Sequence, residues 1–243
     1  MKKLIFILFS ILFYQTVSGQ DIILTGGGGG HFIIGPATII QPVITDYLKE
    51  PQVLGATYNA TPIALQFGGE GYAMLNKWLV GGGGFALAGF TNSTDVGKVT
   101  IGGAGGYFKT GYRFWTKATN FFTANIGIGS FGYSIELENT SAENGIAFRQ
   151  TEPLTIGEKK SYTFGSMMFD PGLSFKGLII GSSDENGFGG FILGVDAGCM
   201  LNVPVGDWKA DHGTVIEGPP SPGSVAVPYL RLTLGGGGFG YRK

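Results

Sequence analysis

Charge is scarce in this chain. Lys, Arg, Asp and Glu together make up 14% of its 243 residues, against about 25% in soluble domains. A water-facing surface is usually about a quarter to a third charged, so there is too little charge here to clothe one. Long apolar runs are also missing: after the first twenty residues none reaches the ~18 that a helical span requires. In lipid only helices and closed barrels satisfy every backbone group, which leaves a transmembrane barrel. The single Cys199 excludes an intrachain disulfide, and it lies too far from the N-terminus to carry a lipid anchor there. It reads as a small apolar residue. Two histidines and one cysteine match no zinc spacing. A net charge of −1 leaves no basic footprint for nucleic acid.

Glycine, by contrast, is abundant. The chain carries 45, in no Gly-X-Y period and with only 11 prolines, so collagen is excluded. The defining stretch is Trp78 to Phe90, WLVGGGGFALAGF. Large apolar residues (Leu79, Phe85, Leu87) fall on one parity, Gly or Ala fills the positions between, and an aromatic stands at each end. Side chains of a strand alternate between two faces, so this predicts an oily, lipid-facing side and a nearly bare one.

Similar stretches recur, and eight strands are predicted: 22–34, 61–72, 78–90, 99–115, 121–138, 162–181, 188–203 and 228–241. A short helical turn is expected near Thr45 to Lys49. Strands four and five change apolar parity part-way, which suggests a bulge in Gly102 to Gly106 and a kink at Gly127 and Gly129. Pro171 is a blemish in strand six, because it removes a ladder bond. The odd-numbered connections read as long and the even-numbered as short, the pattern of outer-membrane barrels with long external loops and short periplasmic turns. Aromatics cluster at strand ends: Tyr72, Trp78, Phe114, Trp115, Phe121, Phe122, Phe188 and Tyr241 beside the short turns, Phe32, Phe90, Tyr133, Tyr162 and Tyr229 near the long loops. They predict two interfacial girdles. The fold class is thus all-β, an eight-stranded antiparallel up-and-down transmembrane β-barrel over residues 20–243. Residues 1–19, with Lys2, Lys3 and the apolar Leu4 to Phe13, read as a cleaved signal peptide.

With FGGEGYAMLNKWLVGGGGFALAG (Phe67 to Gly89), the preceding Asp46-Tyr47-Leu48 and the closing YLRLTLGGGGFGY (Tyr229 to Tyr241), the chain resembles small outer-membrane β-barrel proteins of Gram-negative bacteria, the porin-family or OmpA-type barrels. The resemblance spans most of the mature chain and implies an architecture and a cell outer-membrane location rather than an activity. One departure is the ending, where Arg242 and Lys243 follow the aromatic Tyr241; many such barrels end on the aromatic.

A Gly-x-Gly-x-x-Gly spacing occurs around Gly82 to Gly89, but a strand pattern follows it where a dinucleotide site needs a helix. Glycine is better explained by the narrow interior of eight strands, where many inward positions must be small. On the assigned parities Glu70, Lys109, Arg113, Asp170, Lys176, Asp196 and Arg231 point into the lumen. Buried ions must be paired, so these seven predict an internal charge network, with Asp196 and Arg231 on neighbouring strands. It serves either as a plug or as a selectivity lining. His212, Asp211, Ser221, Ser224 and His31 supply the residue types of a catalytic rim site, but adjacency in sequence does not make them face one another. The chain is therefore read as no enzyme, with no cofactor or metal site. It contacts outer-membrane lipid, and an extracellular ligand or surface partner would use the long loops. There Trp208 is either a binding anchor or a cover for the barrel mouth. The function expected is structural or surface-interacting; the alternative is a narrow passive pore. An outer-membrane enzyme or a soluble lipocalin-like barrel fits less well, since Gly and Ala dominate the face that a soluble barrel would charge.

Overall fold

The computed structural model describes residues 23–50, 54, 56–59, 62–117, 119–141, 154–183, 187–210 and 219–242. The segment read as a signal peptide, Asp211 and His212 lie outside them, as do Ile146, Phe148, Val215 and Ile216, apolar residues of the long loops that could serve recognition. The strands are β1 (Ile23–Thr38), β2 (Ile63–Leu75), β3 (Trp78–Ser93), β4 (Gly97–Lys117), β5 (Asn120–Asn139), β6 (Lys159–Ser183), β7 (Gly187–Pro204) and β8 (Val225–Arg242). Each pairs antiparallel with its neighbours in sequence, and β8 closes on β1, giving one closed up-and-down barrel. A helix, α1 (Pro42–Lys49), follows β1. Gln41 caps it by accepting the Ile44 N–H at 2.8 Å, and Pro42 opens its first turn.

A two-residue turn joins Leu75 to Trp78 directly across the β2–β3 ladder, with Asn76 in the left-handed region at φ 53°. Asn is one of the few non-glycine residues that tolerate that conformation. At the opposite end the β3–β4 connection is shorter than the sequence suggests. Both strands run on to Ser93 and Gly97, and Thr94 Oγ1 accepts from the Val96 and Gly97 amides to close the turn. Long loops therefore follow β1, β5 and β7 but not β3.

The outward parities of β2, β6 and β8 are as expected: Leu65, Phe67, Met167, Phe169 (43% exposed) and Leu232 (41%) face out. The defining stretch of β3 does the reverse. Leu79, Phe85 and Leu87 are buried inside the barrel at 1%, 4% and 3% exposure, while Trp78, Val80, Gly82, Gly84 and Ala88 form the outer face. The reason is that the barrel interior is itself apolar at both ends, so large apolar residues appear on the inward parity there. The same fact removes the expected parity changes. β5 pairs with β6 without a break from Asn120 to Glu138, and Phe131, Tyr133, Ile135 and Leu137 point in. Val99 and Ile101 likewise point in, and the nearby bulge lies on β3 between Ala88 and Thr91 rather than in Gly102 to Gly106.

Pro171 still opposes Ile126 of β5. On its β7 side the register runs from Phe169↔Leu201 to Gly172↔Gly198 with no pair between, where the missing N–H would have donated. Of the expected girdle aromatics, Trp78, Phe114 and Phe122 are exposed at the short-turn end, with ring contacts from Trp78 to Tyr112 (5.3 Å) and from Phe122 to Phe175 (4.5 Å). Tyr72, Phe121, Phe188, Tyr133, Tyr162 and Tyr229 are instead buried in the lumen. Tyr72, Phe121 and Phe188 share a strand end with that girdle but not its face; at the long-loop end Phe32 and Phe90 are exposed as expected, while Tyr133, Tyr162 and Tyr229 turn inward.

Candidate functional site

The lumen is built in three layers. At the long-loop end lies an apolar plug. Ile44 and Leu48 of α1, with Leu54 and Tyr58 after it, fill a chamber walled by inward residues such as Leu87, Ile101, Ile135 and Val227. Trp208 settles one sequence alternative by folding inward. Its indole donates to the Pro220 carbonyl at 3.2 Å and meets the rings of Tyr133 (6.1 Å) and Phe164 (5.3 Å). At the short-turn end a second plug is centred on Phe239, with Phe121 at 5.4 Å, Phe188 at 5.5 Å and Tyr72 at 6.5 Å.

Between the plugs runs an ionic belt, and Glu70 on β2 is its hub. Glu70 Oε1 takes the ammonium of Lys109, with His31 Nε2 at 3.3 Å and Lys176 Nζ at 3.6 Å. Its Oε2 accepts from Tyr107 OH at 2.6 Å and from Arg231 Nη2 at 3.3 Å. Arg231 also donates through Nε to Asp196 Oδ2 at 3.3 Å and stacks on Tyr229, 4.5 Å from its centroid. Tyr229 in turn donates to Asp170 Oδ1 at 2.9 Å. Lys176 Nζ stands 3.2 Å from His31 Nε2 and 4.7 Å over the ring of Tyr72. Beside the belt Asn125 donates to Ser174 Oγ at 2.7 Å.

Of the seven residues proposed from sequence, the structure thus brings six together. Arg113 lies apart, in the lower layer, donating to the Leu24 carbonyl at 2.9 Å and reaching Met74 Sδ at 3.3 Å. His31, Tyr107 and Tyr229 are members that sequence reasoning did not assign. All three sit on the inward parity of their strands, which was the available signal. His31 belongs to the belt and not to the rim, while Ser221 and Ser224 are exposed in the last loop.

Alternate-strand glycines make room for this belt. A Cβ on Gly83 would stand 3.2 Å from the Glu70 Cβ, and one on Gly194 would stand 2.8 Å from the Lys176 Cγ. Bulk at either position would push the ion out of place. The outward Gly84 differs: a Cβ there meets nothing nearer than the Gly105 carbonyl at 3.5 Å.

Chemically, the belt is a matched set of three carboxylates (Glu70, Asp170, Asp196) and three fixed cations (Lys109, Lys176, Arg231), all buried. His31, Glu70 and Asp196 each offer a donor atom within 4.8 Å of the others, the spacing of a metal site. Lys176 and Arg231 already hold these carboxylates, however, and a divalent ion there would face their charges at contact distance. The donor set fits a salt-bridge knot better than a metal. In the plug outside the strands, burial pushes the Tyr58 phenol above its ordinary pKa, and the hydrogen bond from Thr94 partly offsets this.

No protein-family model matches the chain, and no curated protein does. Among solved structures it is similar to the outer membrane protein OprG from Pseudomonas aeruginosa, at 11% identity and a TM-score of 0.36, over 92% of this chain and 100% of that one. It is also similar to the outer membrane protease OmpT from Escherichia coli, at 9% identity and a TM-score of 0.32, over 92% and 99%.

Proposed function

We propose that the chain is an outer-membrane β-barrel that spans the bilayer as a sealed scaffold, with a structural or surface-interaction role carried by its longer loops. One observation carries this reading: the separation of charge from the barrel's outer face. Ile63, Leu65, Phe108, Ile126, Ile128, Leu173 and Leu230 are exposed along it, whereas Glu70, Lys109, Asp170, Lys176, Asp196 and Arg231 are all turned inward. The charges on the outer parity, such as Lys98, Glu136 and Lys159, lie at strand ends. A charge at mid-height on a lipid face costs roughly 2–4 kcal/mol, so this sorting suits lipid and not water. Every strand is also long enough, since the shortest has 13 residues and a tilted crossing needs about 9–11.

The two apolar plugs support a sealed lumen over a passive pore, because either alone interrupts a water path through the belt. The test is reconstitution into planar bilayers. We expect the membrane-inserted protein, verified by its resistance to carbonate extraction from vesicles, to remain electrically silent. Reproducible ion-selective steps would overturn the sealed reading, and release by carbonate would overturn the membrane reading.

A further inference from the structure

The upper plug contains a polar group that the belt does not explain. Gln66 lies on the inward parity of β2, wholly buried, opposite Leu87 on one side and Gly35 on the other. Neither its amide oxygen nor its amide nitrogen has a hydrogen-bond partner. Four residues along the same strand, Glu70 is saturated by five partners. Buried amides are almost always paired, because water or protein must replace the solvent they lose. The surrounding wall cannot supply a partner: Phe85, Leu87, Ile33 and Ala64 are apolar. A second orphan, the hydroxyl of Tyr133, is buried in the same apolar layer.

What fills this chamber comes from outside the barrel wall. α1 is fixed at its start by Gln41, which donates to the Pro222 carbonyl at 2.7 Å, and by the Ile40↔Ala226 bridge. Beyond it, Tyr58 takes a hydrogen bond from Thr94 at 3.1 Å. Between those anchors Ile44 and Leu48 project into the chamber as two aliphatic side chains on one helix face. They satisfy its apolar walls and leave the Gln66 amide unanswered.

We propose that the chamber beneath α1 is a binding site for a small uncharged amphiphile, an apolar chain bearing one amide or alcohol head group. Gln66 both donates to and accepts from that head, and the chain takes the place of Ile44 and Leu48. The head is uncharged because the inward neighbours Phe85, Leu87, Ile33 and Ala64 are apolar and Glu70 already holds the belt's cations. The mouth is capped by a segment whose own side chains mimic the ligand's tail and lack only its head.

Trp208, inside this layer, provides the readout. In a Trp78→Phe/Trp115→Phe background it is the sole tryptophan, and bromine quenches indole fluorescence on contact. The protein in phosphatidylcholine vesicles is titrated with a bromine-tagged undecanamide and, separately, with the matching bromoalkane. We expect saturable quenching by the amide. Gln66→Leu should weaken it several-fold to about tenfold, the worth of one or two buried hydrogen bonds, while leaving the bromoalkane curve unchanged. Ile44→Trp/Trp208→Phe, which fills the chamber and moves the reporter onto α1, should abolish saturation. Quenching that is absent, or that rises linearly and alike in all variants, would mean partition into lipid only and would overturn the site. Equal amide affinity in the parent and Gln66→Leu would do the same for the role of Gln66. Should Gln66→Leu fail to assemble, Gln66→Met serves, and loss of the difference between amide and bromoalkane is the result required.

Discussion

Glu70 shows how one residue sets the state of the whole belt. Its carboxylate faces Lys109, Lys176 and Arg231 at once, and each of those cations is buried. Removing one member of a buried ion pair costs about 3–5 kcal/mol, because the partner's charge is left without compensation. Glu70→Gln should therefore lower the urea midpoint of the lipid-embedded protein by more than Asp170→Asn. Asp170 accepts from a neutral phenol, Tyr229. Adding Lys109→Met to Glu70→Gln restores the balance of charge and should recover part of the loss, a coupling that a double-mutant cycle reads directly. Independent, additive losses would mean that the two groups do not share their energy as the geometry implies. The glycines allow a matching comparison. Gly194→Val drives a side chain into Lys176 and should cost about 1–3 kcal/mol. Gly84→Ala, on the outer face with room for a methyl group, should leave the midpoint nearly unchanged.

Among the elements, strand number and order were legible because turn residues punctuate the chain and alternation repeats between them. The inward charges were legible for the same reason: on a fixed parity, Lys109 and Arg113 must share a face, as must Asp196 and Asn202. Legibility failed where one assumption failed, that oily parity means lipid. In β3 the outer middle is bare glycine, and Leu79, Phe85 and Leu87 pack inside. In β5 the apolar residues change parity from Ile128 to Phe131 while the backbone runs on unbroken. Period-two patterning identifies faces but does not say which way each looks when both sides are apolar. Nor could local sequence foresee that Gln41 would reach Pro222, 181 residues away, to seat α1 in the mouth. Leu48 makes that seating testable. Leu48→Asp places a carboxylate in the plug without touching any strand. We expect α1 to lift and become sensitive to protease added outside intact vesicles, while the barrel keeps its resistance to urea. Loss of the barrel's own resistance would show that α1 is part of the folding core and not a cap upon it.

At the scale of the whole molecule, two seals and a balanced belt lie in series along one axis. Series barriers have a consequence that no single side chain reveals: opening one should leave the barrel shut. Replacing Pro42–Lys49 by a Gly-Ser loop opens the upper end, but Phe121, Phe188 and Phe239 still close the lower one. Phe239→Ala removes the centre of the lower seal, against which Phe121, Phe188 and Tyr72 rest, but leaves α1 in place. We expect each change alone to remain silent in planar bilayers and the two together to give conductance steps. Ions in that combined variant must pass Glu70, Asp170 and Asp196 against Lys109, Lys176 and Arg231, so cations and anions should be separated only weakly. Adding Glu70→Gln leaves the cations in excess by one, and the reversal potential under a salt gradient should then move toward that of the anion. Conductance after only one seal is removed would show that the layers do not act in series. A shift toward the cation would mean that the conducting path avoids the belt.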